Sequence, residues 1–213
     1  MRTKATMRTS SMNSLTTPRK TTQELESKPS PSKRPISDCR AEQGYTLGPM
    51  RWWLHPHWSP DPPNQAFSMF NAKIETVLSS RAFRGAVRHR RGAVLAAGFV
   101  EWETRSDGKQ PYYITTDDVL KLAAIWDCWQ DQVWSCSIIT QPASDDFKHI
   151  HHRMPLGLDD DQLHQWLNPE ADAKQLLSGL KGASQPLRTC EVDREINNAR
   201  NKIWPDRAAT NKL

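Results

Sequence analysis

AVLAAGFVEWE at residues 93–103, SDGK at 106–109 and QPYYITT at 110–116 form the stretch on which the fold turns. The first run is mostly apolar, Asp107-Gly108 supplies turn chemistry, and the second run is rich in tyrosine, isoleucine and threonine. Glycine reaches the backbone angles of tight turns, and β-branched and aromatic side chains suit a pleated, half-buried surface, so the stretch reads as a β-hairpin. Two further strands are expected at LKLAAIWDCW (120–129) and VWSCSIIT (133–140). DDDQLHQWLNP (159–169) opens with acids suited to a helix N-terminus and has Pro169 just past its end, while EADAKQLLSGLKG (170–182) repeats the pattern with Gly182 as a stop. Strands first and helices mostly late predict an α+β fold, a compact single domain around an antiparallel, partly barrel-like sheet.

Upstream of this body the character changes. Residues 1–44 are rich in Ser, Thr, Lys, Arg and Pro, include PSPSKRP at 29–35, and show neither the 2.0 nor the 3.6 period, so they read as a disordered basic tail. RWWLHPHW at 51–58 then opens the domain, which is expected over 45–207. The chain carries a net charge of +5, but residues 1–36 hold eight Lys/Arg against two Glu, a net of +6. The remaining 21 Lys/Arg against 22 Asp/Glu give the body a net of −1, so a nucleic-acid surface on it must be a local patch.

With 213 residues, 37% of them apolar, one domain is the expectation. No run of eighteen apolar residues and no apolar N-terminal stretch is present, so neither a membrane span nor export is expected. Cys39, Cys128, Cys136 and Cys190 are scattered without a C-x-x-C pair, which argues for free thiols and against a zinc site or a disulfide framework.

Three motifs stand apart from core patterning: FNAKIETV at 70–77, GFVEWE at 98–103 and HIHHRMP at 149–155. Glu101 sits between Val100 and Trp102. Alternation puts it on one face with Phe99 and Glu103, where a solvent-facing strand glutamate competes with a partly desolvated carboxylate whose raised pKa suits proton transfer. The histidines of 149–152 lack a carboxylate or cysteine at ligand spacing, so one functional imidazole is expected rather than a metal. Arg153 beside Pro155 suits a loop that presents a cation to a phosphate. RAFRGAVRHRR at 81–91 has five arginines and no acid; a solvated helix face and a phosphate contact are equally weighted. Arg51 with Trp52 and Trp53 offers a cation and a stacking platform for single-stranded DNA, with core packing the alternative for at least one indole.

In order and spacing, MRWWLHPHW, FNAKIETV with SSRAFRG, GFVEW, GKQPYYI, HIHHRMP and VDREINNARN resemble the SRAP family of abasic-site-processing proteins, from about Met50 to about Asn201. The resemblance implies a compact α+β domain that binds single-stranded DNA containing abasic sites. In the family, the cysteine exposed after loss of the initiator Met attacks the ring-opened aldehyde of the lesion and forms a thiazolidine. The resemblance further implies that Asn71 holds the abasic sugar or the terminal residue, Glu101 transfers protons, and His151, with His152 as the fallback, acts in ring opening. Arg51, Trp52, Trp53, Lys73, Arg84 and Arg153 are the implied DNA contacts. Lys73 stands where the family has Arg, keeping the charge but losing the bidentate fork. No cofactor and no metal are implied. A monomer is expected, in the cytoplasm of a bacterial-type cell and associated with the nucleoid when bound to DNA.

The departure is at the start, where the family runs Met-Cys-Gly-Arg and this chain runs Met1-Arg2-Thr3. The abrupt switch near residue 45 is read as an out-of-frame or misplaced start. With no cysteine carrying a free α-amine, no thiazolidine is expected, and a non-covalent DNA-binding remnant is the alternative. A general thiol peptidase, after the family's historical label, ranks last because no Cys–His pair is legible.

Overall fold

The hairpin at 93–116 is the frame of the sheet. A computed structural model of the chain describes residues 45–63, 67–183 and 185–198. The tail at 1–44, Cys39, and residues 199–207 of the expected domain lie outside the described residues, and so do the readings placed on them. The strands are β1 Arg51–Trp52, β2 Asn71–Lys73, β3 Arg91–Arg105, β4 Gly108–Trp129, β5 Val133–Pro142, β6 Arg153–Pro155 and β7 Arg188–Glu191. The helices are α1 Arg84–His89, α2 Asp160–Leu167 and α3 Ala173–Leu180, with a 3₁₀ turn at Arg194–Asn197. The α+β class holds, and the sheet curls into a half barrel. No described helix is long and apolar enough to cross a membrane.

β3 and β4 pair from Arg105↔Gly108 to Arg91↔Ile125, with Gly108 at φ +127° where the chain reverses, a conformation only glycine adopts without strain. The separate strands expected at 110–116 and 120–129 are one strand. Ala96 faces Leu120 but Gly98 faces Thr115, so Thr116–Val119 bulge out of β4 opposite Ala97 and pairing resumes beyond them. The Thr115 hydroxyl clamps the bulge by donating to Ala97 O at 2.6 Å. The sheet is also not wholly antiparallel, because β1 and β2 both run parallel to β5 along its free edge.

Gly98, beside this bulge, lies against the ring of Tyr113, and a Cβ there would come within 2.4 Å of the ring's Cζ. Gly98→Ala is expected to cost about 1–3 kcal/mol, the scale of an overpacked site. A thermal midpoint equal to that of the parent would show that the ring can move aside.

Alternation along the strands makes two cores. Ala72, Ile125 and Ile139 face the helices, packing with Val87 of α1, Trp166 of α2 and Leu177 of α3. Phe99, Tyr112, Ile114 and Ile138 face the other way, against Phe147, Ile150 and Met154. The late helices end where their sequence says. Asp159 and Gln162 form a capping box on α2, Asp172 caps α3, and Gly182 takes φ +86° beyond it.

Candidate active site

Glu101, His151 and Asn71 come from three elements that share the second core's face. β2 lies beside β5 with Asn71 facing Ile138, and Trp52 fixes this approach by donating from Nε1 to Phe70 O at 2.8 Å. Trp52 packs against the second core, while the Trp53 ring lies 5.3 Å from that of Phe70 and its buried Nε1 has no hydrogen-bond partner among the described residues. β3 places Glu101 across from Tyr112. The 143–152 loop is anchored by buried Phe147 and Ile150 and by Ala143 N–H donating to His152 O at 3.1 Å.

Glu101 and Glu103 are two residues apart, yet their environments differ. Glu103 accepts from Arg105 Nε at 2.7 Å and from the Tyr112 hydroxyl at 3.0 Å. The Tyr112 phenol, buried and next to Glu103 and Glu191, is pushed up to about 12. Among the described residues no arginine lies within ion-pair distance of Glu101; its Oε1 accepts from Trp102 N–H at 3.2 Å. Burial raises its pKa, opposed by the nearby charge of His151. Glu101 is half-buried on the strand, and its desolvation favours the neutral carboxyl.

His151 Nδ1 lies 2.9 Å from Arg153 O and 3.2 Å from Arg153 N, and among the described residues Nε2 has no hydrogen-bond partner. The His152 ring lies 4.3 Å from that of His151, tilted by 44°, and its pKa is lowered first by burial and then by the charges of His151, Arg153 and Lys73. Lys73 thus belongs to the same positive cluster.

Arg153 is not free to meet a phosphate. Its Nη1 and Nη2 each lie 3.0 Å from a Glu75 carboxylate oxygen, and Nη2 also donates to Thr140 O at 2.7 Å. The Arg153 bond holds the Glu75 carboxyl below the usual carboxylate range. Sequence reasoning passed over Glu75, whose one signal is its place two residues after Lys73 in FNAKIE. A strand phosphate must displace Glu75 or share the fork. Glu75→Gln is expected to raise affinity for single-stranded DNA severalfold at low salt, as one unmasked phosphate contact would. A titration in which the variant binds no tighter would show that Arg153 stays out of the contact.

The other expected DNA contacts separate. Arg51 is half-buried on β1 beside Trp52, and Arg84 stands exposed on α1. Among the described residues, no group of three or more His, Cys, Asp or Glu is arranged to hold a metal ion. Cys128 and Cys136 are buried, burial pushing the Cys136 thiol up to about 11, and Cys190 is exposed.

A half-buried carboxylate within electrostatic reach of an imidazole and of Lys109 can move protons on a substrate with a carbonyl or hemiacetal centre. The sequence matches the family described as SOS response associated peptidase (SRAP) over residues 2–199. It is 33% identical over 186 residues to the abasic site processing protein HMCES of Gallus gallus, covering 71% of this chain and 54% of that one. It is 30% identical to the abasic site processing protein YedK of Escherichia coli, covering 73% of this chain and 72% of that one. The chain spans about half the length of the vertebrate relatives it matches. Among solved structures, a Bacteroides thetaiotaomicron protein superposes with a TM-score of 0.65 at 26% identity, over 74% of this chain and 72% of its own.

Proposed function

The chain belongs to the SOS response associated peptidase (SRAP) family, and from that premise we propose that it binds single-stranded DNA and processes abasic sites within it. The observation that carries this reading is the desolvated Glu101 beside His151, on the sheet face that also bears Asn71 and Lys73. Opening an abasic sugar removes the proton of the anomeric hydroxyl, whose oxygen becomes the aldehyde C=O at carbon 1, while the bond from carbon 1 to the ring oxygen breaks and that oxygen takes up a delivered proton. An imidazole with one free nitrogen suits the first transfer, and a carboxylate with a raised pKa suits proton delivery. Asn71 supplies an amide that can donate to the sugar or phosphate and accept from a hydroxyl. Lys73 and Arg51 supply charge for the flanking phosphates, and Trp53 supplies a ring for a neighbouring base.

A covalent thiazolidine needs the thiol and the α-amine of one terminal cysteine, condensing with the aldehyde and releasing water. A second reading, non-covalent binding without a crosslink, is favoured by the thiols themselves. Cys136 is buried with a raised pKa, Cys128 is buried, and Cys190, though exposed, has its nitrogen in a peptide bond.

The two readings separate on a denaturing gel of the full chain incubated with single-stranded DNA carrying one abasic site, beside Cys39→Ala. A shifted band that Cys39→Ala abolishes assigns the crosslink to a processed tail. Binding on a native gel with no shifted band assigns the chain to non-covalent recognition. Failure to bind single-stranded DNA at all would overturn both.

A further inference from the structure

The arginine-rich run at 81–91 divides in space. Arg91 is committed to backbone carbonyls at the ends of α1 and α2. Arg90 stands against Asp127, with Nε 3.2 Å from Oδ1. Arg81, Arg84 and Arg88 are exposed and, among the described residues, have no carboxylate within ion-pair distance. With His57 and Trp58 they line a cleft of about 410 Å³ whose floor is Asp127.

That floor does not cancel the rim. The Asp127 side chain is 3% exposed, and its oxygens are already occupied. Oδ2 accepts from His57 N at 3.0 Å, from His57 Nδ1 at 2.9 Å and from Arg90 Nη2 at 3.3 Å, while Oδ1 accepts from Cys128 N at 2.9 Å. The carboxylate ties the 54–58 loop and Arg90 to β4 and leaves three outer guanidiniums uncompensated. Arg81 is held 4.7 Å from the centroid of the Trp58 indole, itself an exposed ring.

The cleft lies on the opposite sheet face from the candidate active site. Asp127 follows Ile125 by two residues on the face packed against α1, whereas Asn71 pairs with Ile138 on the other. Five residues, Trp53 to His57, carry the chain from β1 to Trp58, so the two sites share one edge of the sheet.

We propose that this cleft is a second phosphate-binding site, which takes a phosphodiester of the same DNA strand whose lesion occupies the Asn71, Glu101 and His151 site. Guanidinium forks match phosphate oxygens in pairs, and an indole with a cation beside it accepts a flanking base. The inference rests on the DNA-binding reading above and adds the course of the strand round the sheet edge.

The test is the affinity of the full chain and of Arg81→Ser/Arg88→Ser for single strands of two lengths. One strand has about six nucleotides, enough for a single site, and the other about twenty, enough to reach both. The double variant is expected to bind the long strand roughly tenfold more weakly, with a salt slope shallower by about 1, and to lose less on the short one. An equal loss at both lengths would place these arginines in the lesion groove and overturn the second site. So would no loss, with thermal midpoints matched to confirm folding. If the parent chain binds the strands but the length effect is unchanged, only this inference falls; if it binds neither length, the DNA-binding reading falls with it.

Discussion

Glu101→Gln is expected to slow the processing of an abasic site in single-stranded DNA by roughly 10²–10⁴-fold, the usual contribution of one positioned acid or base. Affinity for an undamaged strand should be equal or higher, since the substitution removes negative charge beside DNA. The parent rate should carry an ionisation above the ordinary carboxylate range, because burial raises the Glu101 pKa, and that ionisation should vanish in the variant. Stability should carry the matching signature. A carboxyl whose folded pKa is raised stabilises the fold most below its unfolded pKa, and that contribution is lost as pH rises through the folded value. The midpoint of the variant minus that of the parent should therefore grow as pH rises out of the ordinary carboxylate range and then level off. A difference that shrinks with rising pH would mean that Glu101 is stabilised as an anion and unsuited to deliver a proton.

Arg91→Ala is expected to cost about 3–5 kcal/mol in denaturant unfolding, although Arg91 sits in a run that reads as a solvated face. Its guanidinium donates to Val87 O at 3.0 Å and Arg88 O at 2.9 Å at the end of α1, and to Trp166 O at 2.8 Å, Asn168 O at 2.5 Å and Ala171 O at 3.2 Å at the end of α2. Two helix C-termini, each with orphan carbonyls and a negative dipole end, converge on one cation. Truncation strands these acceptors together. Arg91→Lys should recover only part of the loss, since an ammonium cannot span both helix ends in one plane. Serine at exposed Arg81 or Arg88 should stay within about 0.5 kcal/mol of the parent. A loss below about 1 kcal/mol for Arg91→Ala would show that water replaces the guanidinium at both helix ends.

The sequence alone was enough for whatever depends on near neighbours. Alternation and Asp107-Gly108 marked the β3–β4 hairpin, and Asp159, Asp172 and Gly182 marked the ends of α2 and α3. The odd placement of Glu101 between Val100 and Trp102 singled it out but left a solvent-facing and a desolvated carboxylate both open, and the order of the motifs marked the family. These signals act over a few residues, through backbone angles, caps and side-chain alternation, so they survive without knowledge of the fold.

What only the tertiary structure decided is which distant group each polar side chain meets. The five arginines of 81–91 look alike as text, yet Arg91 bonds to a carbonyl 75 residues away, Arg90 to a carboxylate 37 residues away, and the others face a cleft. Arg153 read as a free cation until Glu75, 78 residues earlier, proved to hold its fork. Two predicted strands became one because β3 keeps pairing past the Thr116–Val119 bulge, and β1 and β2 are parallel because the edge of β5 was open to them. Charge pairing and sheet register are set by which surfaces the fold brings together, and local sequence does not encode those long separations.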